Sequence, residues 1–178
     1  MALINIRQID DRAQLGLWRM EEDAYEKPRL RERKAVARLL EAMTGNAALT
    51  IQHESSGKPF LDNGQTISIS HTQGYAALLL ADSGRLGIDI ERRSDRVERI
   101  ASRFIRPDEK AETTSEKLLI WSAKEALYKY FSEDNLLFYD MRTLAVAENM
   151  LQMENLKRDV VVDVHYEFSP DYVLTYIL

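Results

Sequence analysis

Residues 66–91 read TISISHTQGYAALLLADSGRLGIDIE. Thr66 to Ser70 alternates polar and apolar, Tyr75 to Asp82 is a short apolar run, and Leu86 to Glu91 alternates again; the pattern predicts three strands. Ser83-Gly84 breaks the last two, and Asp62-Asn63-Gly64 just upstream is a hairpin signal. Working outward, Leu30, Val36, Leu39, Leu40 and Met43 recur at helical spacing over 29–43, closed by Thr44-Gly45-Asn46. Leu3 to Ile9 and Leu49 to His53 read as further strands. Downstream, Ser94-Asp95 reads as a helix cap, followed by Val97, Ile100, Ala101, Phe104 and Ile105 at the helical period until Pro107. A longer helix is expected over 115–131. Strands are expected at 144–147, 160–168 and 172–177. Strands and helices thus occur once on each side of Gly84, which predicts an α+β chain with halves 1–84 and 85–178.

Composition narrows the chemistry. With 178 residues, no cysteine and a formal charge of −5, disulfide frameworks, thiolate zinc sites and cysteine nucleophiles are excluded. General nucleic-acid binding does not fit this charge, and no apolar stretch is long enough to span a bilayer. A cytoplasmic protein is the expectation. Charge is uneven, however. Lys27, Arg29, Arg31, Arg33, Lys34 and Arg38 form one basic cluster, and Arg92, Arg93, Arg96, Arg99, Arg103 and Arg106 form another. Local basic surfaces on an acidic chain suit a phosphate-bearing ligand or an acidic protein, and equally suit solvated helix faces. Arg92, Arg96, Arg99 and Arg103 follow a three-to-four spacing that one α-helical stripe could present.

Asp89 and Glu91 stand two apart in a predicted strand, so both carboxylates leave the same face. Such a pair suits magnesium through hard oxygen ligands, or is an exposed strand face compensated by Arg92 and Arg93. In Trp121-Ser122-Ala123-Lys124-Glu125-Ala126-Leu127-Tyr128-Lys129, Glu125 and Lys129 are one helical turn apart, with Ser122 on the same stripe. They read either as a surface ion pair or as an extension of the Asp89–Glu91 site. Lys58, in Gly57-Lys58-Pro59, and Ser70-His71 could grip phosphate from loops and a strand end. No glycine-rich phosphate loop, dinucleotide fingerprint or zinc-helix motif is present.

Four segments in order resemble the 4'-phosphopantetheinyl transferase superfamily, specifically its surfactin-synthetase-activating branch. They are Gly57-Lys58-Pro59, Ile67-Ser68-Ile69-Ser70-His71-Thr72, Leu86-Gly87-Ile88-Asp89-Ile90-Glu91 and the Trp121 to Lys129 run. The resemblance implies a pseudo-two-fold arrangement of two similar α+β halves, a ligand cleft between them, and a monomer. It implies magnesium held by Asp89, Glu91 and Glu125, and coenzyme A as co-substrate. Lys58, Pro59, Ser70 and His71 would contact coenzyme A, together with Arg31 and Arg38 of the first helix. Glu125 would take the proton of a serine on an acyl or peptidyl carrier protein, and Lys129 would pair with the phosphates. The basic helix after Glu91 would meet the acidic carrier. The chain is shorter than many members of the branch after Lys129, and Phe131-Ser132 stands where a glycine-containing turn is frequent. Two alternatives stay open: a non-catalytic coenzyme A or carrier-binding homologue, and a magnesium-dependent phosphoester hydrolase.

Overall fold

A computed structural model describes residues 2–21 and 25–178. The chain divides into two compact units, one running to Leu86 with Leu178 added, the other spanning Gly87–Ile177.

In the first unit, β1 (Ala2–Gln8), β2 (Ala13–Arg19), β5 (Thr66–Thr72) and β6 (Tyr75–Ala81) form an antiparallel sheet in the order β1-β2-β6-β5. Every residue of β6 is buried, which is why its sequence, YAALLLA, carries no alternation: a strand covered on both faces needs none. The short pair β3 (Gln52–His53) and β4 (Pro59–Phe60) stands apart as its own two-stranded ribbon. Helix α1 (Pro28–Thr44) begins with proline, whose missing N–H costs nothing there, and ends on Gly45 at φ 67°. It buries Ala35, Val36, Leu39 and Leu40 against a core that includes Ile67, Leu78 and Leu80.

The second unit is a five-stranded antiparallel sheet, β7 (Gly87–Arg92), β11 (Tyr172–Ile177), β10 (Val160–Phe168), β9 (Met150–Asn155) and β8 (Met141–Ala147), in that order. Helix α2 (Thr114–Tyr130) packs across β7 and β11. Its start is fixed by a capping box, with Thr113 accepting from the Glu116 N–H and Glu116 reaching back to the Thr113 N–H. Gly87 lets α2 sit this close: a Cβ there would lie 2.1 Å from the Ala126 carbonyl oxygen.

Several sequence expectations need correction. The segment after Glu91 is a 3₁₀ helix, Asp95–Arg103, and Ser94 makes no side-chain cap. At three residues per turn Val97 and Ile100 share one side, which suits a short apolar contact. The same period breaks the arginine stripe. Arg96 and Arg99 still align, Arg103 is rotated a third of a turn from Arg96, and Arg92 belongs to β7. Three strands carried no clear signal: β2, with Gly16 in its middle, the two-residue β4 at a segment read as a loop, and β9, whose residues MLQMEN are mostly helix formers. Of the strand expected from Leu49 to His53, only Gln52–His53 forms. The Asp62-Asn63-Gly64 turn leads into β5, but β4 pairs with β3 and not with β5.

Candidate active site

The acidic residues meet on one side of β7. Gly87, Asp89 and Glu91 share the face that α2 covers, while Ile88 and Ile90 alternate with them and are buried. Asp89 is 4% exposed, a position that only firm hydrogen bonding makes tolerable for a carboxylate. The Ser122 hydroxyl donates to Asp89 Oδ2 at 2.9 Å and Lys129 Nζ donates to Asp89 Oδ1 at 3.0 Å. Lys129 Nζ also donates to the Ile88 carbonyl at 2.7 Å. Behind Ser122, the Thr175 hydroxyl of β11 lies 2.9 Å from its Oγ and donates to its carbonyl at the same distance. Helix, strand and neighbouring strand are thus tied around one carboxylate.

Glu91 is held differently. The Trp121 indole N–H donates to Glu91 Oε1 at 2.9 Å. Trp121 in turn packs against Phe104, edge-on at 5.1 Å between ring centres, and against Phe138 at 5.0 Å. Burial, with the Asp89 charge beside it, pushes the Glu91 carboxyl up to about 7. Glu125 is raised too, first by burial and then by Asp89, against a smaller opposing effect of Lys129. No hydrogen bond engages the Glu125 carboxylate among the described residues. It lines a pocket of about 500 Å³ with Arg103, Tyr128, Leu136, Phe138 and Met141.

Spacing had left Glu125 and Lys129 open between a surface ion pair and a site. Lys129 pairs with Asp89, not with the glutamate one turn before it. The three carboxylates therefore share one electrostatic field, and their hard oxygens suit a small divalent cation, which would relieve the repulsion that raises Glu91 and Glu125. Among the described residues, however, no three acidic, histidine or cysteine side chains are gathered to grip a single ion. Protein donors take both oxygens of Asp89 and one of Glu91 instead.

The remaining sequence candidates lie in the first unit. Ser70 and His71 are neighbours on β5, so their side chains leave opposite faces of the sheet. Ser70 is buried, and His71 is half exposed with Nδ1 3.7 Å from Glu32 on α1. Lys58 and Pro59 stand at the turn into β4, with the Lys58 carbonyl accepting from the Glu54 N–H. Arg31 and Arg38 are both on α1, two turns apart. Sequence reasoning missed Thr175 and Glu109. A threonine inside the apolar strand YVLTYI was a usable signal; Glu109, in an irregular turn after Pro107, offered none.

The family model described as the 4'-phosphopantetheinyl transferase superfamily matches residues 85–177, which hold every residue of this cluster. The chain belongs to the 4'-phosphopantetheinyl transferase superfamily. No curated protein matches the chain. Superfamily membership supports a transferase that moves phosphopantetheine, with coenzyme A and a carrier protein as the partners of such enzymes. No helix among the described residues is long and apolar enough to cross a membrane.

Proposed function

We propose that this chain transfers the 4'-phosphopantetheine group of coenzyme A to a serine of an apo acyl or peptidyl carrier protein, with magnesium, as a cytoplasmic monomer. The observation that carries the reading is the α2–β7 cluster: Asp89, Glu91, Glu125 and Lys129 meet inside the segment that matches the family. Two α+β units in one chain fit the surfactin-synthetase-activating branch. The three carboxylates are not gathered around one point in the metal-free chain. In this reading Asp89, Glu91 and Glu125 would hold the metal once their side chains converge, and when bound it would supply charge stabilisation to the pyrophosphate.

The chain's own residues then do the following. Glu125, raised above its ordinary value by burial and by Asp89 and without a protein donor, takes the proton of the carrier serine hydroxyl. The serine oxygen forms a bond to the phosphorus bearing the pantetheine arm, and the bond from that phosphorus to the bridging oxygen breaks. Adenosine 3',5'-bisphosphate leaves with the electron pair. Lys129, already at the carboxylates, offsets the charge gathered on the phosphates. Asp89, oriented by Ser122, keeps Lys129 in place. Lys58, Pro59, Ser70, His71, Arg31 and Arg38 are assigned to coenzyme A in this reading.

The test is intact-mass measurement on several apo carriers incubated with the protein, coenzyme A and magnesium. We expect one phosphopantetheine per carrier, lost when a chelator replaces magnesium. Release of phosphate or nucleotide with unmodified carriers would instead assign a phosphoester hydrolase. Coenzyme A binding with neither product would assign a binding homologue.

A further inference from the structure

Lys124 is adjacent to Glu125, yet its side chain is fully buried and serves neither carboxylate of β7. Its Nζ donates to Glu109 Oε2 at 2.7 Å, to the Phe104 carbonyl at 2.7 Å and to the Phe138 carbonyl at 3.3 Å. Glu109 is equally buried. Its Oε2 also accepts from the Arg106 N–H at 2.8 Å, and its Oε1 accepts from the Thr143 N–H at 2.7 Å. One ion pair thus joins α2, the turn after the 3₁₀ helix Asp95–Arg103, the short 3₁₀ helix Phe138–Asp140 before β8, and β8 itself.

The two carbonyls that Lys124 holds belong to Phe104 and Phe138, whose rings pack on Trp121. Trp121 in turn donates to Glu91. We infer that the buried Lys124–Glu109 pair is a positioning device that fixes the aromatic bracket around Trp121 and, through its indole, the orientation of Glu91. Stability alone is a weak reason for such a pair, because desolvating two charges offsets most of their attraction, and apolar residues of similar volume often serve as well. An apolar side chain could fill the space but could not hold two backbone carbonyls.

The inference rests on Glu91 being part of the proposed transfer site, and the test separates the two. The protein has two tryptophans, so a Trp18→Phe parent leaves Trp121 as the sole reporter. In that parent, Lys124→Met with Glu109→Gln removes both charges and leaves neither unpaired. Phe138→Leu keeps the ion pair and removes one wall of the bracket. Near-UV circular dichroism of the metal-free proteins should lose most of the Trp121 signal in both variants. Turnover should fall by roughly ten- to a hundredfold, the usual effect of removing a supporting partner of a site residue, with KM for the carrier unchanged. A folded double variant with the parental spectrum and turnover would show that the pair serves stability alone. If the double variant does not fold, parental values in Phe138→Leu would equally overturn the inference. If the parent modifies no carrier, the functional reading fails, and the near-UV spectra still decide whether the pair positions Trp121.

Discussion

Both units lay a 17-residue helix on an antiparallel sheet, and each helix closes onto a strand at a glycine. Under α1 that glycine is Gly16, where an added Cβ would meet Met43 Sδ at 2.6 Å and Leu39 Cδ1 at 2.7 Å. Under α2 it is Gly87, and the obstacle is helix backbone at Ala126. The faces the helices bury differ as well. The residues α1 buries are all aliphatic, whereas α2 also buries Ser122 and Lys124. The same packing solution thus makes a plain core in one unit and a charged, hydrogen-bonded site in the other. Close backbone approach is what lets short side chains such as Ser122 and Asp89 reach each other.

The sharpest way to break this contrast is to add one methyl group to each glycine. Gly87→Ala must push α2 off β7, and we expect about 3 kcal/mol or more of destabilisation, the upper end for overpacking. In Gly16→Ala the ends of Leu39 and Met43 can move, so about 1 kcal/mol is expected. Urea unfolding of both variants measures this directly. Equal losses would mean that the two helices are not packed differently.

Charge gives the next test. Glu91, raised from its ordinary 4.5 to about 7, holds its proton more tightly in the folded state. Its contribution to stability is therefore full below pH 4.5 and is lost as pH rises through about 7. That loss is at most about 3 kcal/mol. Glu98, Asp108, Glu116 and Asp140 are lowered by their partners and act in the opposite sense. The component is therefore read as a difference between the native protein and Glu91→Gln. We expect the metal-free native protein to lose Tm relative to that variant between pH 5 and 8, and magnesium to restore it at pH 8. Parallel Tm profiles would contradict the buried, repelled carboxylate.

The smallest effects lie at the helix starts. Thr113→Ala removes the capping box of α2 and should cost about 1 kcal/mol. Lys27, which precedes α1, makes no side-chain cap, so Lys27→Ser should gain a few tenths of a kcal/mol. Thermal melts of the pair would show opposite signs.

What the sequence revealed followed from periodicity. The two long helices and the strands β5, β6 and β7 were legible because their patterns are regular. Asp89 and Glu91 were legible because a strand's period puts them on one face. The 3₁₀ geometry of Asp95–Arg103 was not, since Val97 and Ile100, three apart, satisfy either helical period over so short a run. Pairing choices were hidden too. Lys129 could reach Glu125 or Asp89, and only the approach of α2 over Gly87 decides for Asp89. The Lys124–Glu109 pair depends on a turn with no periodicity, so nothing in the residues around Glu109 announced it.

The central claim is that the α2–β7 face carries the chemistry, with Glu125 as the base. The most direct measurement is turnover of Glu125→Gln at saturating coenzyme A, magnesium and apo carrier, followed by intact mass of the carrier, alongside coenzyme A binding. We expect turnover to fall by about a hundredfold or more, as for loss of a general base, with coenzyme A still bound and Tm not lowered, because a buried, repelled carboxylate has been neutralised. Turnover within about twofold of the native protein, where a hundredfold loss is expected, would contradict the assignment and return Glu125 to the helix surface.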